Sequence, residues 1–205
     1  MVESQVRGRG IHDQRVLAAM SKVPRHEFVS PEHWDDAYAD HPVPIGEQQT
    51  TSQPYIIACM LQAAEVAPQD RVLEIGSGSG YQTALLAELA AQVFAVERHP
   101  TLAANARSTL EGLGYRNINL MTGDGSVGWP EQATFDAIIV AAAAPRVPPA
   151  LVEQLAGGGR LVVPVGDSQQ QALQLYRKSP DGTVTVHSLE GCRFVPLIGE
   201  QGFVA

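Results

Sequence analysis

Three acidic residues and a run of alternating glycines carry the clearest chemical signal in this 205-residue chain. The apolar stretch Arg71 to Ile75 (RVLEI) runs into Gly76-Ser77-Gly78-Ser79-Gly80. Glycine is needed where a backbone turns sharply and a ligand approaches it closely. Glu74 stands just before the loop, Glu97 lies 21 residues beyond Gly76, and Asp124 sits between Gly123 and Gly125. An acid at about 20 residues after such a loop is placed to accept hydrogen bonds from ribose hydroxyls. The dinucleotide fingerprint G-x-G-x-x-G would need glycine at position 81, where the chain has Tyr81. The loop also lacks a Lys or Arg that could hold phosphates. The acids and the loop together therefore fit a nucleoside cofactor without phosphates. S-adenosylmethionine, with its ribose, adenine, ammonium and sulfonium, is such a ligand.

The elements that must position these groups can be read from periodicity. Arg71–Ile75, Val93–Val96, Ile118–Met121, Phe135–Val140 and Arg160–Val165 read as strands. Tyr55–Ala64, Tyr81–Ala90, Pro100–Leu113 and Pro148–Leu155 read as helices, the last stopped by Gly157, Gly158 and Gly159. Alternating strands and helices predict an α/β fold: a doubly wound, mostly parallel sheet with helices on both faces. Ligands of such sheets bind outside the carboxyl ends of the strands, where Glu74, Glu97 and Asp124 would project. After Gly166, Ala172–Arg177 and Thr183–His187 alternate around Pro180-Asp181-Gly182, a hairpin signature. Cys192–Leu197 reads as a third strand of that antiparallel end. Residues 1–54 form an N-terminal extension with one helix. It starts at an Asp13 cap, shows Val16, Leu17, Met20 and Val23 on one face, and stops at Pro24. The rest of that extension reads as mainly loop, packed through Phe28, Trp34 and Tyr38.

Charge and composition restrict the partners. Acidic residues number 22 against 14 basic ones, a net charge of −8, which disfavours nucleic acid. The longest apolar run, Ala137 to Ala144, has eight residues and is too short for a membrane span. Cys59 and Cys192 read as small apolar residues of a reducing compartment, so a cytoplasmic protein without membrane attachment is expected. The six histidines show no metal-ligand spacing, and no metal site is expected. The acids Asp35, Asp36 and Asp40 read as a solvated face.

Over essentially its whole length the chain resembles the protein-L-isoaspartate O-methyltransferases. The residues that carry the likeness are Val23–Val29 (VPRHEFV), Ile45–Tyr55 (IGEQQTTSQPY) and Val72–Gln82 (VLEIGSGSGYQ). They continue through Gly123–Gly125 with Gly128-Trp129, Phe135–Pro145 (FDAIIVAAAAP), Gly158–Gly166 (GGRLVVPVG) and Arg193–Leu197 (RFVPL). The glycine loop is common to many methyltransferases, whereas T-x-S-x-P and RFVPL are far more specific. Where the family commonly shows Gly-Gln-Thr-Ile-Ser, this chain has Gln48-Gln49-Thr50-Thr51-Ser52.

The resemblance implies a Rossmann-like S-adenosylmethionine methyltransferase core over residues 55–205, with residues 1–54 supplying a helix and a lid loop. It implies Ser52 as the active-site residue. Thr50, Gln53, Glu74, Gly76, Ser77, Gly78, Ser79, Gly80, Glu97, Arg98, Gly123, Asp124 and Gly125 would lie about the cofactor, with Asp124 near the adenine. Arg193, Phe194 and Val195 would read the substrate backbone, and isoaspartyl proteins and peptides would be the partners of a monomer. The residues add that Ser52 has no histidine or lysine in an activating motif, so it is not a nucleophile. Amino-directed methyltransferases carry an (Asp/Asn)-Pro-Pro-aromatic element where this chain has Ala141–Pro145. A carboxylate acceptor, with a pKa of about 4, needs no base at pH 7. Two alternatives stand beside this reading: a nicotinamide-dependent oxidoreductase, which Tyr81 argues against, and a non-catalytic relative, which Gln48 and Thr51 keep open.

Overall fold

Asp13 begins the first regular helix. Its carboxylate accepts the N–H groups of Arg15 and Val16, and α1 (Gln14–Lys22) follows, burying Val16, Leu17, Ala19 and Met20. Such a cap stabilises a helix by about 1 kcal/mol. In the computed structural model, which describes residues 1–204, the remainder of the N-terminal extension is more ordered than its polar sequence predicts. Short helical turns cover Val2–Val6, Arg25–Phe28 and Pro31–Asp36. They are followed by an antiparallel hairpin of β1 (Val43–Gly46) and β2 (Gln49–Thr51). Its two turn residues, Glu47 and Gln48, have φ of 51° and 57°. A hairpin turn of that kind is usually announced by Asn-Gly, and here it is not. Phe28 packs in the core, but Trp34 and Tyr38 are 52% and 40% exposed, against the expectation that all three pack inward.

The core follows in the expected alternation: α2 (Pro54–Ala64), β3 (Arg71–Ile75), α3 (Tyr81–Leu89), β4 (Gln92–Glu97), α4 (Pro100–Gly112), β5 (Ile118–Thr122), β6 (Phe135–Val140), α5 (Pro149–Glu153), β7 (Leu155–Gly166), β8 (Gln171–Lys178) and β9 (Val184–Cys192). One seven-stranded sheet has the order β5-β4-β3-β6-β7-β8-β9, parallel through β7 and antiparallel at β8 and β9. From β3 the chain winds outward to β5, then returns to place β6 on the other side of β3. That reversal is the switch point at which open α/β sheets form a crevice.

The two faces are unequal. Residues of α2, α3 and α4 share one apolar cluster with α1, Val6 and Phe28, so the N-terminal extension packs on the same core. On the other face the β5–β6 crossover contains only the turns Gly125–Val127 and Pro130–Gln132. Phe94, Phe135 and Leu151 fill that side, and Trp129 meets Phe94 edge-on at 5.8 Å. Among the described residues no helix is long and apolar enough to cross a membrane.

Two details depart from the sequence expectation. Gly157–Gly159 do not stop a helix but lie inside β7, where its register with β6 breaks between Phe135 and Ala137. Glycines tolerate the bulge that this break requires. Cys192–Leu197 is not a third antiparallel strand, because β9 ends at Cys192. The Phe194 N–H donates to Gln171 Oε1 (2.8 Å), and Pro196 has no N–H to offer a ladder. The segment instead crosses the carboxyl edge of the sheet and bridges Ala143 in parallel fashion.

Candidate active site

The switch point carries the glycine loop. Gly76, Gly78 and Gly80 have φ of 84°, 54° and 90°, conformations that cost a side-chain-bearing residue roughly 1–2 kcal/mol each. Space matters as well at Gly78, where a Cβ would stand 3.0 Å from Ile45 Cδ1 of β1. The β1–β2 hairpin thus closes over the loop. Between them lies a cavity of about 330 Å³, within the range of small-ligand sites. It is lined by Gly76, Gly78, Glu97, Arg98 and Gly125 on the sheet side, by Ile45, Gln48 and Thr50 on the hairpin side, and by Val195–Ile198 from the crossing segment.

The strand-end acids meet three different fates. Glu97 ends β4 and lines the cavity; its Oε2 accepts the Gly78 N–H (2.8 Å) and its Oε1 the His99 N–H (2.9 Å). A carboxylate has about four lone-pair sites, so two remain for hydroxyl donors. Asp124 turns away from the cavity. It accepts Ser126 N–H (2.8 Å), Ser126 Oγ–H (2.7 Å) and Glu200 N–H (2.8 Å), tying the C-terminal turn to the sheet edge. Partial burial raises its pKa, but these donors outweigh that and hold it below the usual value. Glu74 is fully buried behind the loop, and desolvation pushes its pKa up to about 7 against the opposing Thr83 hydroxyl. Its Oε2 accepts the Thr83 hydroxyl at 2.5 Å. Glu74 Oε1, Ser77 Oγ and Gln82 Nε2 are buried with no hydrogen-bond partner.

Two smaller cavities adjoin the first. One of about 30 Å³ lies between the glycine loop and the hairpin, lined by Gly76–Ser79, Gln82 and Thr50–Ser52. The other, about 90 Å³, is lined by Thr50, Ser52, Gln53, Ile56 and the segment Gly191–Val195. Thr50 and Ala141 line all three. Ser52 therefore faces the two smaller spaces, and Arg193, Phe194 and Val195 share the 90 Å³ one with it. Gln53 lines that space too, while its amide donates to Asp40 Oδ2 (2.6 Å). Gly80 packs instead towards Ala106 and Leu110 of α4, and Gly123 lies outside the cavities.

Three further residues shape the site in ways that their types do not announce. Ala141 follows β6, and its N–H donates to the Ile75 carbonyl (2.8 Å), which holds a minimal side chain where the cavities meet. Ile45 reaches the glycine loop only because β1 pairs with β2 in a hairpin that no turn motif announces. Asp40 belongs to no solvated face: it accepts from Arg9 (2.6 Å), Gln53 and the Tyr55 N–H (3.2 Å), capping α2. The Ala143 N–H donates to the Val195 carbonyl (2.8 Å), and the Leu197 N–H to the Ala143 carbonyl (2.7 Å), so the crossing segment is fixed by backbone.

The protein-family model described as Protein-L-isoaspartate(D-aspartate) O-methyltransferase matches residues 1–202. The protein-L-isoaspartate O-methyltransferase of Koribacter versatilis (strain Ellin345) is 59% identical over 203 residues, covering 99% of this chain and 91% of its own. The protein-L-isoaspartate O-methyltransferase 1 of Syntrophobacter fumaroxidans (strain DSM 10017 / MPOB) is 54% identical over 203 residues, covering 99% and 94%. A Plasmodium falciparum chain described as a protein-L-isoaspartate O-methyltransferase, solved in complex with S-adenosyl-L-homocysteine, superposes with a TM-score of 0.84 at 27% identity, covering 96% of both chains.

Proposed function

The chain belongs to the protein-L-isoaspartate(D-aspartate) O-methyltransferase family, and from that premise we propose how its own residues divide the work. The reaction is transfer of a methyl group from S-adenosylmethionine to the free α-carboxylate of an L-isoaspartyl residue in a damaged protein or peptide. The ester then closes to a succinimide, which reopens in part to normal aspartate.

The 330 Å³ cavity fits the cofactor in chemistry as well as size. Glu97 keeps lone pairs for ribose hydroxyls, and the glycine backbone permits close approach. Ser77 Oγ and Gln82 Nε2, unpartnered beside the adjoining 30 Å³ space, and Glu74 Oε1 behind the loop would offer donors and acceptors for a polar tail. When bound, S-adenosylmethionine supplies a methyl group made electrophilic by its sulfonium.

The observation that carries the division of labour is the meeting of the cavities at Thr50 and Ala141. It supports a cofactor in the larger space and the isoaspartyl carboxylate in the smaller, beside Ser52. No histidine or lysine lines that smaller space, and an acceptor ionised above a pH of about 4 needs none. Ser52 orients the carboxylate as a hydrogen-bond donor, Arg193 at the exposed mouth draws it in, and Phe194 and Val195 flank the substrate backbone. Residues 1–54 act as the lid, excluding water while the reacting atoms are aligned. The proposal extends to a cytoplasmic monomer.

The test is a matched pair of peptides differing only in the aspartyl linkage, assayed with labelled cofactor. Label should enter the isoaspartyl peptide alone. Comparable methylation of the normal aspartyl peptide would show that a carboxylate is read without its backbone and would overturn the repair function. In parallel, Glu97→Ala should raise the cofactor dissociation constant at least about tenfold by calorimetry.

A further inference from the structure

Arg25 is a fully buried arginine that no step of the reaction uses. It lies in the turn Arg25–Phe28, outside every cavity of the active site. Its Nε donates to the Ala37 carbonyl (2.7 Å) and one terminal nitrogen to the Ser52 carbonyl (2.8 Å). Its guanidinium carbon lies 4.6 Å from the ring centroid of Tyr81, the residue that follows the glycine loop. The other terminal nitrogen, Nη1, has no partner. Burial holds the pKa of Arg25 below the usual value, although Tyr81 and Asp40 oppose the shift.

A buried cation bonded to carbonyls rather than to a carboxylate is costly, and an apolar residue would fill the same volume more cheaply. Packing alone does not account for the charge. What the guanidinium does that a methionine could not is join three segments through fixed directions: the chain at Ala37, the carbonyl of Ser52, and the aromatic start of α3. Ser52 lies between β2 and α2, outside the paired residues of the hairpin, and this contact ties its carbonyl to the turn at Arg25.

We propose that Arg25 is a positioning residue for methyl transfer, holding the Thr50–Ser52 segment at the distance from Gly76–Gly80 that the reaction requires. The proposal rests on the function assigned above and adds a residue that acts through Ser52 without touching substrate or cofactor. Arg25→Gln, Arg25→Lys, Ser52→Ala and the Arg25→Gln/Ser52→Ala double variant are compared by turnover of the isoaspartyl peptide, by calorimetric cofactor affinity and by urea unfolding. Arg25→Gln should lower kcat by about 10- to 100-fold, as a misplaced reacting group does, while cofactor affinity changes less than about threefold. Arg25→Lys, which keeps the charge and one carbonyl bond, should recover part of the loss. In the Ser52→Ala background the same Arg25→Gln change should cost no more than about threefold further, because the group it positions is gone.

Unchanged turnover in Arg25→Gln would overturn the proposal. So would an equal loss of cofactor affinity, or a full additive loss in the double variant, since a purely structural role gives both. If Arg25→Gln does not fold, Arg25→Lys decides alone: reduced kcat at unchanged cofactor affinity supports positioning, and unchanged kcat removes it. A wild-type protein that turns over while Arg25→Gln matches it removes the inference and leaves the function standing. A wild-type protein that does not methylate the isoaspartyl peptide removes the function and takes the inference with it.

Discussion

Two loops face each other across the cleft and reach left-handed conformations by different means. In the core loop every such position is glycine: Gly76, Gly78 and Gly80, with φ of 84°, 54° and 90°. In the hairpin turn only Gly46 is, and Glu47 and Gln48 carry side chains at 51° and 57°. Their anchoring differs as well. The Gly76 N–H donates to the Val96 carbonyl (2.8 Å), so the sheet itself fixes the loop. The N-terminal cover is held by side chains reaching backbone far away in sequence: Arg25 to Ser52, Asp40 to Tyr55, and Gln62 Oε1 accepting the N–H groups of His12 (2.8 Å) and Asp13 (3.0 Å). Sheet edge and cover thus reach their positions differently, one through residue type at each step, the other through a few long-range polar contacts. Removing a single side chain should therefore disturb the cover locally, while the sheet edge tolerates the loss of one that its ladder does not need.

The sheet edge has its own cost, stored in Glu74 rather than in backbone. Its carboxyl is pushed from 4.5 to about 7 by burial, so the folded state binds its proton more tightly than the unfolded chain does. The stabilisation from that proton is fully present below a pH of about 4.5 and is lost as pH rises through about 7. The difference corresponds to about 3 kcal/mol between the two limits. Glu74→Gln cannot ionise and should keep the Thr83 contact, so its stability advantage over wild type should grow from pH 5 to pH 8. Urea unfolding of both proteins at several pH values reads this directly. Parallel curves would mean that Glu74 is ionised throughout the range, with a charged partner.

Asp40 tests the cover. Its carboxylate joins Arg9, Gln53 and the first turn of α2, and Asp40→Ala would leave the Tyr55 N–H and the Gln53 amide without that acceptor. Loss of a helix cap with its charged contacts should cost about 2 kcal/mol in urea unfolding. Because Gln53 adjoins Ser52, turnover should fall as well while cofactor affinity holds. A loss below about 0.5 kcal/mol, the ordinary range for surface substitutions, would return Asp40 to the solvated acidic run it resembles in sequence.

That resemblance explains why the two regions were unequally legible. The strand, the glycine loop and Glu97 follow from residue type and spacing because each step is local. The Asp13 cap of α1 and the Pro180-Asp181-Gly182 turn between β8 and β9 are legible for the same reason. Asp40 follows Asp35 and Asp36 with nothing to distinguish it; only the approach of Arg9 and α2 gives it a role. Asp124 follows β5 at the carboxyl edge of the sheet, but its orientation is set by Ser126 and by Glu200, 76 residues away. Cys192–Leu197 is apolar enough for a strand, yet Gln171 and Ala143 claim its backbone first. Local patterns state which element forms, and contacts between distant residues decide which way a side chain faces.

The hairpin turn gives the smallest effect and the sharpest comparison, because the family pattern has glycine where this chain has Gln48. A non-glycine residue at φ of 57° costs about 1–2 kcal/mol, which glycine avoids. Glycine also gives the unfolded chain more freedom, an opposing loss of about 0.4–1 kcal/mol. The first effect exceeds the second, so Gln48→Gly should stabilise the protein by roughly 0.5–1 kcal/mol, or a rise of about 1–4 °C in Tm for a domain of this size. Gln48 lines the larger cavity but makes no hydrogen bond to the glycine loop, so its removal should leave the fold of the site intact. Differential scanning calorimetry of wild type and Gln48→Gly measures the shift. A lower Tm would mean that the glutamine side chain contributes more by packing over the cleft than its backbone loses at the turn, and the contrast between the two loops would lose its energetic basis.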